Sequence, residues 1–583
     1  MPGFTGARGA DSSTAAPIVI RASGTASAEG LRQATELGFA ARLAQYASGS
    51  AAYTAVLGFR QDQPELSVMS NLQGLALNLP APLNKRAETV QPFRLETALV
   101  RESLQPAANG QLRLQDRLLL DLPGVAALVY LRDLSGPAPR VLRGSIGVGL
   151  APQETVPLPL AGVAANINLM RADADAWSAA LSRVAGTPLT AASRAPDAAL
   201  ASAALSYLPT NLAVRAQQLT LGGRQLNNVV MGGFREDLLW RANVQAKELN
   251  GYVEYRQPSE AGAGRVHARL ARLTIGPAVA SEVEALLDEQ PASIPALDIV
   301  VEDFELRGKR LGRMEVEAVN RGAAARQASA REWRLNKFNL IAPDAVFMAS
   351  GNWASLPGPG GGTGPRLTAL NFKLDIADGG ELLTRFGMKD VVRRARGKME
   401  GQIAWAGSPL SLDYPSMAGA ITINMESGQF LKADAGIAKL LGVLSLQSLP
   451  RRLTLDFRDV FSEGFAFDFV RGDVTIERGI ARTNNLQMKG VNAAVLMEGR
   501  ADIAKETQDL RVVVVPEINA GTASLIATVI NPAIGLGTFL AQWFLRRPLT
   551  EAATREFHID GTWDDPKVTR VPRQTDRTKE VSR

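Results

Sequence analysis

Apolar and polar residues alternate along much of this chain. Leu75, Leu77 and Leu79 alternate with Ala76 and Asn78, and Leu370, Phe372, Leu374 and Ile376 alternate with Asn371, Lys373 and Asp375. The same period of two recurs at Ile421, Ile423 and Met425, at Leu453, Leu455 and Phe457, and at Phe465, Phe467 and Phe469. Each such run predicts a strand with one apolar face and one wet face, as in antiparallel sheets. Turn signals separate the runs: Gly222-Gly223, Arg307-Gly308 and Arg471-Gly472-Asp473. Helical spacing is rarer. It predicts amphipathic helices at Ala28–Tyr46, Ala278–Gln290, Glu381–Arg394 and Ala433–Leu444, able to pack on a sheet. The chain is therefore expected to be mainly β with a few helices.

Weak repeats run through the pattern. Leu219-x-Leu221-x-Gly223-x-x-Leu226 matches Phe304-x-Leu306-x-Gly308-x-x-Leu311. Phe338-x-Leu340 leading to Gly351 matches Leu486-x-Met488 leading to Gly499, and Gly351-x-Trp353 recurs as Gly561-x-Trp563. Repetition without a strict period suggests hairpins added one after another to a long sheet. So many one-sided strands must hide their apolar faces. A sandwich, a closed barrel or a curled sheet around a foreign apolar filling would each do so.

The segment Ile518–Leu545 carries no charged residue, and its length alone would cross a bilayer. Asn531-Pro532 interrupts it as a helix cap followed by a first-turn proline, which predicts two short helices. Leu536, Leu540 and Phe544 form one stripe of the second, with Phe539 and Trp543 beside it and Arg546 and Arg547 closing it. That stripe suits either the apolar face of a sheet or a membrane surface.

Composition narrows the chemistry. The chain has 583 residues, no cysteine and two histidines, His267 and His558. Disulfides, thiolate sites and histidine-centred catalysis are thereby excluded or disfavoured. Nucleophile elbows, zinc motifs, phosphate loops and calcium loops are absent, so no cofactor or metal is expected. The glycines of 357–365 have no Gly-Lys-Ser/Thr after them and form a linker. Asp564-Asp565 before Pro566 reads as a turn, and neither histidine has an evident partner. The net charge of +6 sits partly in the basic tail, without the dense aromatic patch that nucleic acid requires. The first residues do not form a signal peptide.

The last third carries a more specific resemblance. Ala438–Leu453 (AKLLGVLSLQSLPRRL) runs into Asp456–Asp468 (DFRDVFSEGFAFD), followed by Arg511–Pro516, Asn531-Pro532, Gly535–Gln542 and Gly561-Thr562-Trp563. In order and spacing these resemble the carboxy-terminal region of the YhdP family of AsmA-like proteins of Gram-negative bacteria, densely over 380–571. The resemblance implies an elongated, twisted antiparallel β-sheet curled into an open groove, the β-taco. It implies a periplasmic, membrane-associated body, an inner-membrane anchor upstream of this chain, and phospholipid carried between inner and outer membranes. The expected organisation is a disordered start at 1–16, a β-rich repeat region at 17–300 and further groove at 301–378. A carboxy-terminal region follows at 379–571, with helices near 381–394, 433–444 and 519–547, and a basic tail at 572–583.

On this reading no enzyme is needed. Acyl chains would lie against Leu370, Phe372, Leu374, Ile376, Ile421, Ile423, Met425, Leu453, Leu455, Phe457, Phe465, Phe467 and Phe469. Membrane contact falls to Leu536, Phe539, Leu540, Trp543, Phe544, Arg546 and Arg547. The expected partners are phospholipid acyl chains, the two membrane surfaces and other envelope proteins. The alternative is an envelope scaffold whose sheet packs on itself and binds protein partners.

Overall fold

The computed structural model describes residues 19–34, 39–60, 63–104, 113–136, 139–151, 154–185, 206–258, 263–276, 294–321, 332–357, 363–409, 412–431, 465–490, 493–516, 530, 532–546, 554–563 and 565–571. Two compact units divide the chain, Met1–Glu254 and Tyr255–Arg583. The division falls inside the stretch 17–300 that the sequence pattern treats as one region.

The first unit contains β1 (Val19–Ser27), β2 (Ala47–Arg60), β3 (Gln63–Ser70), β4 (Leu75–Leu77), β5 (Phe93–Leu99) and β6 (Gln115–Leu122). It continues with β7 (Ala126–Asp133), β8 (Arg140–Val148), β9 (Gly162–Asp173), β10 (Asn211–Leu221), β11 (Arg224–Glu236) and β12 (Leu239–Gln245). Strand β13 (Leu249–Arg256) crosses the division. Pairing runs from β1 to β12 in chain order, except that β4 pairs with the start of β2 and β5 follows β3. Two joints are parallel, β8 with β9 and β9 with β10. The rest are antiparallel.

Three helices stand at one end of these strands: α1 (Ala28–Gln33), α2 (Phe39–Leu43) and α3 (Ala174–Ala185). Ser27 caps α1 by accepting from the Gly30 N–H at 3.0 Å. The predicted helix Ala28–Tyr46 is thus broken into α1, α2 and a 3₁₀ turn at Ala44–Tyr46. The Asp175 carboxylate of α3 accepts from the Gly222 and Gly223 N–H groups at 2.8 and 2.7 Å, pinning the helix to the β10–β11 turn. The neighbouring Trp177 Nε1 donates to the Ala81 carbonyl, just beyond β4, at 2.8 Å, and α2 touches α3. Six strand steps separate β2 from β9, about 29 Å in a flat sheet. These contacts through the helices tie the two strands together at one end of the unit.

The second unit contains β14 (Arg265–Ile275), β15 (Ala296–Leu306), β16 (Lys309–Arg321), β17 (Glu332–Ile341), β18 (Ala345–Pro357), β19 (Thr363–Ile376) and β20 (Val392–Ala406). It ends with β21 (Ala418–Phe430), β22 (Phe465–Glu477), β23 (Ile480–Gly490), β24 (Ala493–Asp502), β25 (Thr507–Pro516), β26 (Arg555–Thr562) and β27 (Pro566–Arg570). Strand β14 pairs parallel with β15, and every later joint is antiparallel between sequence neighbours. The fold is mainly β, and the sheet is open among the described residues.

The repeats of the sequence are repeats of structure. Gly222-Gly223 and Arg307-Gly308 each close a two-residue hairpin with positive φ at both positions (60° and 72°, 50° and 77°), and each follows the second strand of a parallel pair. The match between Phe338 and Leu486 extends to a bulge just before each, between Leu335 and Phe338 and between Thr483 and Leu486.

One predicted helix is shorter than its pattern. Helix α4 (Gly379–Arg385) is capped by Asp378, which accepts from the Gly380 and Glu381 N–H groups. Gly387 at φ 93° ends it, and β-branched Val392 begins β20, so 392–394 are strand rather than helix. Helix α5 (Gly535–Arg546) takes up the second predicted half of 518–545 and runs one residue past it. The predicted helices Ala278–Gln290 and Ala433–Leu444, the start 1–16 and the tail 572–583 lie outside the described residues.

Candidate functional site

Register decides which side chains share a face. In the second unit Leu340, Phe347, Leu374, Met399 and Ile423 stand opposite one another across β17–β21. The row extends through Met314, Val301 and Leu270 on β16–β14. One step along the strands, Ile299, Val316, Phe338, Ala349, Phe372 and Ile421 form a second row, with Gly401 between Phe372 and Ile421. The result is a lane of apolar side chains running across the strands. The opposite face carries the intervening residues, among them Glu315, Asn339, Lys373, Glu400, Thr422 and Asp473.

The lane is unevenly covered. Leu270, Val301 and Met314 are buried, whereas Leu340, Phe347, Leu370, Phe372, Leu374, Ile376, Met399, Ile421 and Ile423 are only half-buried. A self-packed core would bury such residues almost completely. Phe347 is the hub of the open stretch: its ring meets Phe338 edge-on at 6.1 Å and lies nearly parallel to Phe372 at 6.3 Å. Gly401 keeps the lane low beside Phe372, since a Cβ there would stand 2.4 Å from the Ala420 carbonyl oxygen. Toward β24–β26 the same face closes on itself. Met488, Val495, Met497, Val512, Val514, Phe557 and Ile559 are buried there in one cluster with Phe430, Phe467 and the start of β20.

The first unit has a lane of its own. Ala55, Val68, Leu95, Leu120, Leu128 and Ile146 stand opposite one another, and Ala165 and Leu212 continue the row through both parallel joints. Toward one end of the strands Asp116 and Arg132 form a two-point ion pair on this face, with Arg132 Nε at 2.9 Å from Asp116 Oδ1. Tyr130 packs edge-on against Tyr207 at 5.2 Å, and burial pushes its phenol pKa well up.

The sequence-predicted residues fall out as follows. Leu370, Phe372, Leu374, Ile376, Ile421, Ile423 and Met425 share the lane face, and Phe467 joins its buried end. Phe469 does not. A register shift between Phe467 and Phe469 turns Phe469 to the opposite face, where it packs in the cluster under α5 with Arg471 over its ring at 4.1 Å. The side chain of Phe465, and Leu453, Leu455 and Phe457 altogether, lie outside the described residues.

Helix α5 occupies that opposite face. Leu536 and Leu540, which the sequence offered to a membrane, are buried against Ala494, Leu496, Val513 and Val515, with Phe539 partly buried beside them. These two leucines are therefore sheet contacts. Strands β24 and β25 are apolar on both faces, and α5 covers the side away from the lane. Asn484 Nδ2 anchors the entry to α5 by donating to the Pro532 carbonyl at 2.7 Å. Arg547 and the side chains of Trp543, Phe544 and Arg546 lie outside the described residues. No described helix is long and apolar enough to cross a membrane.

Both histidines have carboxylate neighbours that the sequence did not reveal. His267 Nδ1 lies 3.0 Å from Asp298 Oδ2, and His558 Nε2 lies 3.6 Å from Asp560. Burial acts to raise the Asp298 pKa, but hydrogen bonds from Arg269 and His267 outweigh it and hold the carboxyl below its usual range. Glu315, hydrogen-bonded by Lys337 and facing Arg313, is likewise held low. These contacts lie on the polar face, and no described group of His, Asp or Glu is placed to hold a metal ion.

The family described as YhdP protein matches residues 7–568. The chain belongs to the YhdP family. Over 384 residues, 64% of the chain, it is 25% identical to the "Intermembrane phospholipid transporter YhdP" of Escherichia coli (strain K12). That match covers 29% of the relative's length.

Proposed function

We propose that this chain is a non-enzymatic stretch of a lipid conduit in the cell envelope. Its apolar lanes hold the acyl chains of phospholipid passing between the inner and outer membranes, with headgroups left in the periplasmic water. The observation that carries this reading is the half-buried apolar lane across β17–β21. Each acyl methylene taken out of water gains about 0.8 kcal/mol, so a nonspecific apolar surface suffices and no reactive group is called for. The name of the Escherichia coli relative supports the substrate class. Contact with membrane surfaces and other envelope proteins belongs to the same proposal.

A second reading, an envelope scaffold, is favoured by the fully packed end of the same face at β24–β26. Native mass spectrometry of the purified chain, with extraction and identification of bound lipid, separates the two. Several phospholipids per chain support the conduit. A folded, lipid-free chain overturns it in favour of the scaffold.

A further inference from the structure

The lane of the second unit has two unlike rims. At one end of β16–β20 the register aligns Asn320, Trp333, Trp353, Thr368 and Trp405 in a single cross-strand row on the lane face. Three of the seven tryptophans of the chain meet here. Trp333 Nε1 donates to the Pro295 carbonyl at 3.3 Å, and Trp405 Nε1 to the Ser408 carbonyl at 2.9 Å. Trp353 is fully buried, and its Nε1–H has no hydrogen-bond partner. A buried donor without an acceptor is uncommon in a native fold and points to a group that arrives from outside. Arg366, outermost on the same face, places its guanidinium 5.8 Å from the Trp353 ring centroid.

At the opposite rim stands helix α4, with Leu383 against the cluster of Val391, Val392 and Ala395 and with Arg385 paired to the buried Asp344. Polarity therefore falls along one face of β19 in a fixed order. Arg366 comes first, then Thr368, then Leu370, Phe372, Leu374 and Ile376. A diacyl phospholipid has the same order: anionic phosphate, ester carbonyls, alkyl chain. The six residue steps from Leu370 to Ile376 span about 20 Å. One leaflet's share of a bilayer's hydrocarbon core is about 15 Å, so an acyl chain fits the apolar part. The indoles at the boundary between the two parts are buried, Trp333 and Trp353 in one cluster with Ala318 and Leu335, and each combines an apolar ring with a polar N–H, as in the aromatic belts of membrane proteins.

We propose that Trp333, Trp353, Trp405, Thr368 and Arg366 form the headgroup rim of the lane. Phospholipid lies along the strands with its phosphate toward Arg366 and its ester carbonyls at the tryptophan row. Its chain ends point toward α4. The Arg366 guanidinium over the Trp353 ring sets the phosphate beside the indole row. The proposal rests on the conduit reading and adds an orientation to it.

Two photoreactive phosphatidylethanolamines test it on the full chain, one with a diazirine on the headgroup amine and one with a diazirine at the end of an acyl chain. Each is supplied in phosphatidylethanolamine–phosphatidylglycerol vesicles, and crosslinked peptides are mapped by mass spectrometry. The headgroup probe is expected on peptides containing Arg366–Thr368 or Trp405, and the chain-end probe on peptides containing Ile376 to Leu383. A reversed pattern, or equal labelling of both rims by both probes, overturns the orientation while leaving the conduit standing. No lane crosslink with either probe overturns both.

Discussion

A single carboxylate in the open stretch of the lane should block lipid more than it harms the fold. Phe372 is the residue to change. It is half-buried, packs on Phe347 and has only Gly401 and Ala349 opposite it, so an aspartate introduced by Phe372→Asp can keep its own water. An acyl chain crossing the new carboxylate loses contact with the ring for two or three methylenes, about 2 kcal/mol at about 0.8 kcal/mol each. Displacing water from the carboxylate adds to this, so a barrier of about 2–3 kcal/mol is a lower figure. At 1.36 kcal/mol per decade, transfer should slow by about 30- to 150-fold. The control lies one residue away. Asn371 is exposed on the opposite face, and Asn371→Asp introduces the same charge where no lipid passes. The assay is transfer of a fluorescent phospholipid between donor and acceptor vesicles, with circular dichroism and thermal melting to establish folding. If Phe372→Asp folds and transfers lipid at the parent rate, the lane is not the path. If both variants slow transfer equally, charge alone rather than facing is responsible.

Other expectations concern the scaffold around the lane. Asp344 is buried and held by a two-point pair with Arg385 of α4, so Arg385→Ala should cost the second unit about 3–5 kcal/mol in urea unfolding. Leu536→Ala removes the fully buried contact of α5, with an expected loss of about 2–5 kcal/mol and faster hydrogen exchange in β24 and β25. The Glu315 carboxyl is held low first by its hydrogen bond from Lys337. Its stabilisation is therefore complete above the unfolded carboxylate value of about 4.3 and is lost as pH falls through the lower folded value. Lys337→Met should raise the Glu315 pKa toward the unfolded value in an NMR titration and shrink that acid loss.

Strand content and facing were legible where alternation is unbroken. The run from Leu370 to Ile376 reads as one face in the sequence and is one face in the sheet, because a strand's period of two leaves no other choice. The same rule failed at Phe469, since a bulge changes the backbone count without changing the residue pattern. The pattern of 381–394 kept helical spacing past Gly387, and only the left-handed glycine followed by Val391-Val392 marks the true end. Leu536 and Leu540 fit two apolar surroundings equally well, and only the tertiary contact with β24 and β25 chooses between them. The tryptophan row carried no local signal at all. Trp333, Trp353 and Trp405 lie on three different strands, and pairing alone brings them into line.

In the second unit each described strand from β15 onward is paired with its neighbours in sequence, and side chains opposite one another keep the lane continuous. An extra hairpin inserted between two such strands would lengthen that lane by about 10 Å and leave the register on either side intact. Span is thus a quantity that gene duplication can adjust in small increments, without redesigning a core. The shared bulge before Phe338 and Leu486 is the kind of mark such a duplication leaves. On the conduit reading proposed above, the span of a molecule built this way is set by counting hairpins.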